Sequence, residues 1–589
     1  MLSIQGLFLS AAVALLPCLN TLADVTNQSL FLDDGIILSD IGSLVKESNR
    51  LCAPGKVGKN LWQVYTYETM DGLKGSFVYA TTLSNPGELT IELPVSGWHR
   101  IFIGQASRSP GGLLMSLGID LKLDGDTAFT SLAGTGINWF WEMTDNFYRA
   151  ANLQPGMKLH IRRNEQQQAS LAWIRLEPMS QEEIDSVQRR LAKTNRYFNI
   201  VTNDAYWPND MEQFEGEFAV FADSNVKKLY FLLASGDVTS FYDTSTGNTV
   251  TFEDIDYERE IDRDIAIKIA EIQRKYPDAV NELAAAAHKY NLEFHASVRT
   301  GAWYYPSGTG NSQFFLNNPQ WQCRLKDGTP VTRMSFAAPE VQDHMLALFR
   351  EILSFDVDGL NLIFIRALPN ILYEEPFLNR FKAEYNGLDP RELADDDERV
   401  IALRCKIMTE FMEKTREVVD QASKEKGRKL ELSLIVPATE KVNYFHGLAL
   451  KEWADAKLID LISVDGSIQT RSHQENVSNI DLSFFEAISQ NSGLPFFVKL
   501  PGIWDNSCNL EYYQNAIAHG ATGVMLWDGA HNFALYPYGW EWIHLLGSGK
   551  NGSEEAESWL QKRPHGSKVH LIKKLDGYDY DQYPPHVAY

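Results

Sequence analysis

Between Tyr197 and roughly Leu546 the chain repeats one phrase eight times: a short apolar run, a polar residue where it stops, then a helical stretch. The runs are FNIVTND, KKLYFLLASGD, LEFHASVRT, VDGLNLIFIR, LELSLIVPA, LIDLISVDG, LPFFVKLPG and GVMLWDG. Strands that alternate with helices build βαβ units on a parallel sheet. Eight such units predict a closed (β/α)₈ TIM barrel of the α/β class, whose functional groups lie at the carboxyl ends of the strands. Those ends read Asn203 and Asp204, Asp237, Arg299, Arg366, Ala438, Asp465, Lys499 and Asp528.

Upstream the period changes to two. LTIELPV, GWHRIFIG, GIDLKLDGD, MKLHIRR and LAWIRLEP alternate apolar and polar residues between turn signals such as Asn85-Pro86-Gly87 and Asp124-Gly125. This pattern predicts an all-β, jelly-roll-like sandwich over residues 24–178. Trp139, Phe140 and Trp141 are candidates for a sugar-stacking platform there, although aromatics in a sandwich more often belong to its core. Ser180-Gln181-Glu182-Glu183 has the form of a capping box, so residues 179–196 read as a helical linker. The barrel then occupies 197–548. Residues 549–589, rich in Gly, Ser and Pro, read as an irregular C-terminal tail.

Leu7 to Leu19 is an apolar run of signal-peptide length, followed by small residues before Asp24. Residues 1–23 are therefore expected to direct export to a secreted or periplasmic location. Cys18 follows proline, where a lipoprotein signal wants a small residue, so no lipid anchor is expected. No later run of about 18 apolar residues appears, which predicts no membrane span. The formal net charge of -23 argues against nucleic acid as a partner. The remaining cysteines, Cys52, Cys323, Cys405 and Cys508, have no C-x-x-C spacing. No zinc site, other metal or cofactor is expected, and disulfides and free thiols both stay open.

Hydrolysis of a glycosidic bond needs two carboxyl groups, about 5 Å apart in retaining enzymes and wider in inverting ones. Asp465 ranks first, because it closes LISVD and precedes Gly466. Glu374 follows, in the loop after strand four, and then Asp528, between Trp527 and Gly529. For each, a plain rim ion pair is the competing expectation. Asn203, Asp204, Asp237 and Glu440 are polar candidates for substrate contact. Arg299, Arg366 and Lys499 would hold an acidic group on a substrate, or would only neutralise the rim aspartates. Trp303 and Trp504, just past strand ends, are expected to line sugar subsites. His295, inside its strand, reads as a core residue.

The run VDGLNLIFIRALPNILYEEPFLNRFKAEYNGLDPRELADDDERV, then MTEFMEKTREVV, ALKEWADAKLIDLISV and LPFFVKLPG, resembles the glycosyl-hydrolase-like barrels labelled family 10 glycosylhydrolases. The resemblance covers about Tyr197 to Leu546. It implies an exported protein acting on polysaccharide, with a sandwich as a frequent companion domain. One departure stands out. Relatives often carry D-G-(I/V)-x-x-D in strand four; Asp358 and Gly359 match, but Ile363 occupies the place of the inner acid. The expected function is an exported glycoside hydrolase acting on a poly- or oligosaccharide, with Asp465 and Glu374 as the acid/base pair. A non-catalytic glycan-binding protein on a degenerate barrel, or a non-hydrolytic sugar-active enzyme, are the alternatives that Ile363 and the cationic strand ends keep open.

Overall fold

The computed structural model describes residues 35–54, 60–106, 117–134, 142–164, 168–192, 199–203, 210–250, 260–303, 312–466, 480–500, 506–527, 544, 546, 568–576 and 578–579. All eight predicted barrel strands form: Asn199–Asn203, Val226–Ser235, Glu293–Arg299, Gly359–Ile363, Glu431–Pro437, Leu461–Asp465, Phe496–Lys499 and Gly523–Leu526. They are called strands one to eight below. Neighbours in sequence are parallel neighbours in space. Strand one also pairs with strand eight, Ile200 opposite Met525, so the sheet closes and has no free edge.

Period two decides which side chains face inward. Ile200, Tyr230, Leu232, Ile363, Ile435, Leu461, Phe497 and Met525 form one buried cluster, drawn from every strand except the third. Their alternate neighbours, such as Phe231, Val298, Leu362, Leu434, Val464 and Val524, join the large core under the helices. Strand three instead turns polar groups inward. His295 and Ser297 are buried, and Glu293 beside them shares Lys228 with Glu431 at 2.6 and 2.9 Å. His295 is thus a core residue, as its place in the strand implies. Ile363, at the position where the resemblance raised the expectation of an acid, lies in the inward cluster. Asp358, at the foot of strand four, is tied to His288 at 2.7 Å and to Arg428.

The helices follow the expected periodicity. Those at Glu260–Lys275, Ala279–Lys289, Pro339–Ser354 and Glu398–Lys426 bury one face each against the strands. The linker helix is Gln181–Leu191, and its capping box is present in both directions, Ser180 bonding to the Glu183 amide and Glu183 to the Ser180 amide. No described helix is long and apolar enough to cross a membrane.

The N-terminal domain is two packed antiparallel sheets. The smaller has four strands, Leu89–Glu92, Lys158–Arg163, Leu117–Leu123 and Thr130–Gly134. The larger carries Trp62–Thr69, Lys74–Ala80, Gly97–Ala106, Glu142–Leu153 and Trp173–Pro178, and it corrects the expected domain boundary. Lys568–Leu575, from the segment read as an irregular tail, is inserted between Glu142–Leu153 and Trp62–Thr69, antiparallel to both. His570, Ile572 and Leu575 are buried there, the last two in a cluster with Trp173, Tyr67 and Phe77. The Trp173 ring packs so tightly that a Cβ at Gly104 would lie 2.0 Å from it. The tail reads as irregular because one short alternating run, VHLIKKL, sits among turn formers. Only the vacant place in a distant sheet makes it a strand. Sandwich and barrel touch along the helix Met211–Ala219. Arg162 reaches Glu212 at 3.2 Å, and Gly216 lets that helix approach the Phe129 carbonyl.

Candidate functional site

The strand ends bring together part of the predicted set. Asp465 has the inward parity of Leu461 and Ser463, and it is 1 % exposed. Its Oδ2 accepts from Lys499 Nζ at 2.9 Å, on the next strand. Trp527 follows Met525 by two residues and lies against the inward cluster. The Lys499 ammonium is 5.0 Å from the Trp527 ring centre, and the Arg366 guanidinium is 5.4 Å from it. Each of the two cations is attracted to the quadrupole of that ring. Arg366 itself is exposed, with a positive φ of 58° just past strand four. Arg299 closes strand three opposite Ile363 and is buried. Strands six, seven and eight thus form a charged and aromatic wall, while strands four and five present Ile363, Ile365 and Ile435.

Glu374 is not at this wall. It is wholly buried and serves as a clamp for the strand-four loop. Its carboxylate accepts from the Ser335 hydroxyl and from the amides of Leu372 at 3.1 Å and Arg324 at 3.4 Å. Burial raises its pKa from the ordinary carboxylate value, against the pull of those donors. A group so enclosed and so occupied by backbone donors is an anchor for the loop. These contacts give Glu374 a structural role in its loop, beside the acid/base role expected of it. The pattern YEEP offered no clue, because the donors come from Arg324 and Ser335, some 40 to 50 residues upstream.

Asp237, just past strand two, is also wholly buried. Its Oδ2 accepts from Nε2 of His344 at 2.9 Å, and Oδ1 has no hydrogen-bond partner. The His344 ring is stacked on Phe314, 3.8 Å between centres and 7° between planes. Trp303, beside them, is fully buried, and its indole N–H has no acceptor. Glu440 opens the helix Glu440–Phe445 and is exposed. It lines a cavity of about 490 Å³ with Lys441, Lys451, Asp481, Phe484 and Asn491. Between the loops after strands four and five, Arg404 is buried against Tyr373, Phe377 and Phe445. Burial, and then the Arg404 charge, lower the pKa of nearby His446 to about 4.

Asp204, Trp504 and Asp528 lie outside the described residues, as do Trp139, Phe140, Trp141 and residues 1–34; Asn203 is described in its backbone alone, at the end of strand one. Among the described residues no group of three His, Cys, Asp or Glu side chains could hold a metal ion. Cys323 and Cys405 stand as thiols, and burial pushes Cys405 up to about 12. Two residues that meet the predicted set were not singled out from the sequence. Trp527 carried a signal, since it shares the inward parity of strand eight. His344 carried none, because it sits on a helix and meets Asp237 only across the fold.

No family model matches the chain, and no curated protein matches it. Solved structures that superpose on it include an α-L-fucosidase, isoenzyme 2, from Paenibacillus thiaminolyticus, at 13 % identity and a TM-score of 0.37. That alignment covers 62 % of this chain and spans about half, 49 %, of the fucosidase. The catalytic domain of a β-amylase from Paenibacillus polymyxa aligns at 10 % identity over 58 % of this chain and 94 % of its own, with a TM-score of 0.38. An endo-β-1,4-mannanase from Thermotoga petrophila aligns at 9 % identity over 57 % and 69 %, with a TM-score of 0.35. Superposition this loose carries no argument about chemistry, and the assignment of the chain as a (β/α)₈ barrel rests on its own closed strand order.

Proposed function

We propose that the chain is an exported glycoside hydrolase whose barrel mouth takes an acidic poly- or oligosaccharide. The observation that carries this reading is the cluster at the strand ends: Asp465 beside Lys499, with Lys499 and Arg366, the latter just past strand four, both over the Trp527 ring. An aromatic face suits the C–H face of a sugar ring, and the flanking cations suit a carboxylate or sulfate on it. Asp465 supplies one carboxyl group. With Glu374 committed to its loop, the second is proposed to be Asp528, one residue beyond Trp527. The leader over residues 1–23 and a secreted or periplasmic location belong to the same proposal.

The test is Asp465→Asn, assayed for reducing ends on the polysaccharide that the wild-type chain cleaves in a panel of acidic and neutral glycans. Loss of turnover by about a hundredfold or more is expected for a general acid or nucleophile. Turnover like that of wild type removes Asp465 from the mechanism. A second reading is favoured by Ile363 and by the tight Asp465–Lys499 pair: a barrel that binds glycan and no longer cleaves it. Saturable binding with no bond cleavage over days supports that reading, and released reducing ends exclude it. Products absorbing as unsaturated uronates would indicate elimination.

A further inference from the structure

The cavity of about 490 Å³ beside Glu440 is a groove on the flank of the barrel, within the size range of small-molecule sites. Ala438, Thr439 and Glu440 form its upper end, just past strand five. Ser483, Ala487 and Asn491 mark its course along the helix Ser483–Ser492, a run of about 12 Å at the helical rise. That helix follows strand six and leads back toward the foot of strand seven, so the groove descends from the rim. Pro437 is the register partner of Asp465. The backbone of Ala438, one residue further, therefore stands within about 10 Å of that of Asp465. The groove starts beside the strand ends that carry the proposed reaction and leads away from them.

Its lining is of three kinds. Ala438 and Ile488 are buried and apolar. Phe484 is half-buried, and its ring meets Tyr444 and Phe485 edge-on, 6.3 and 5.2 Å between centres. The Tyr444 hydroxyl is in turn tied to Glu452 at 2.5 Å, so the Phe484 ring is held in place at the wall. Lys441, Lys451 and Glu440 are exposed, and among the described residues none of the three forms an ion pair or a side-chain hydrogen bond. The nearby helix Glu398–Lys426 and its neighbours differ: Lys406, Arg380 and Arg416 each hold a carboxylate. Asp481 keeps one oxygen on the Ser483 amide at 3.0 Å. The groove thus offers two unpaired cations, two carboxylates, an amide and a fixed aromatic ring.

A simple anion suits the lysines and is repelled by Glu440 and Asp481; an ammonium reverses that mismatch. An acidic sugar meets all of them. Its carboxylate or sulfate takes the lysines, its hydroxyls donate to Glu440, Asp481 and Asn491, and its C–H face covers Phe484. We propose that this groove is an outlying subsite, taking the part of an acidic glycan chain that extends from the mouth over the end of strand five. The proposal rests on the acidic-glycan reading above. It adds that chain length is read in the groove, away from the reacting bond.

The experiment compares chain lengths. Wild-type protein is titrated calorimetrically with oligogalacturonate, oligomannuronate and chondroitin-type oligosaccharides, each as a disaccharide and as a long oligomer. In the series that binds tightest, the long oligomer is expected to bind about tenfold tighter than the disaccharide. The same pair is then titrated into a chain carrying both Lys441→Met and Lys451→Met, which loses the two charges and keeps their apolar stems. Both side chains are exposed, so the fold should stand, with the thermal transition as its check. Affinity for the long oligomer is expected to fall about tenfold, and affinity for the disaccharide to stay as it was. Unchanged affinity for the long oligomer overturns the groove, as does an equal loss at both lengths, which would place the effect in the mouth. If no acidic oligosaccharide binds the wild type, the acidic-glycan reading falls and the groove with it. If the disaccharide binds and the long oligomer gains nothing over it, the groove alone falls.

Discussion

Barrel and sandwich close their sheets in different ways. The barrel takes its strands in sequence order and joins strand eight to strand one, so every pairing but that last links successive strands. The sandwich leaves a gap in its larger sheet, between Glu142–Leu153 and Trp62–Thr69, and fills it with Lys568–Leu575 from the opposite end of the chain. The barrel is therefore complete within one stretch of sequence, whereas the sandwich is complete only after the barrel has been made. Domain boundaries drawn along the chain suit the first and miss the second.

The largest effect is expected from ending the chain after residue 548. That removes Ile572 and Leu575, each worth about 2–3 kcal/mol of apolar burial, and bares two strand edges. We expect the sandwich transition to disappear from a calorimetric scan, a loss of about 5 kcal/mol or more, while the barrel transition persists. Loss of both would show that the junction at Arg162 and Gly216 makes one cooperative unit.

Next in size is Lys499→Met, which leaves Asp465 buried beside a methyl group at the barrel mouth. Removing one member of a buried ion pair costs about 3–5 kcal/mol, and Asp465→Asn in the same chain should restore much of it. Chemical denaturation of the four proteins of that cycle measures the coupling. Additive effects would mean that the pair is too solvated to matter.

The barrel should also respond to pH where the sandwich does not, through His446. His446 titrates near 4 when folded, against an ordinary value near 6.5. A histidine depressed in this way contributes stability that is fully present above about 6.5 and is lost as pH falls through about 4. The size is about 3 kcal/mol. The barrel transition should drop over that window, and His446→Phe should flatten the slope; an unchanged slope would place the acid sensitivity elsewhere.

Glu374→Ala should cost about 1–3 kcal/mol, because Ser335 and two amides lose their acceptor. Hydrogen exchange should quicken in residues 364–374 and not in the sandwich. Ile363→Val is the smallest effect, about 1 kcal/mol, as expected for one methylene lost inside a packed barrel.

The barrel was legible because its signal is local. Eight apolar runs became eight strands, period two placed Ile363 inward, and Ser180 with Glu183 capped the linker helix as their spacing implies. The site was legible only in part. Asp465 and Lys499 were visible as strand ends, but their ion pair follows from adjacent strands closing at the same height. Glu374 looked like a rim acid because its loop follows a strand. Its burial depends on Ser335 and Arg324, which the preceding long loop brings beneath it.

Hydrophobic periodicity determined the strand order, the inward face and the row of polar groups at the strand ends, since each of these depends on residues a few positions apart. Tertiary structure decided which of those groups meet. Lys499 binds Asp465, His344 binds Asp237, and a strand of residues 568–575 completes a sheet begun near residue 36. Such contacts join positions tens to hundreds of residues apart, and no local repeat encodes a partner at that distance.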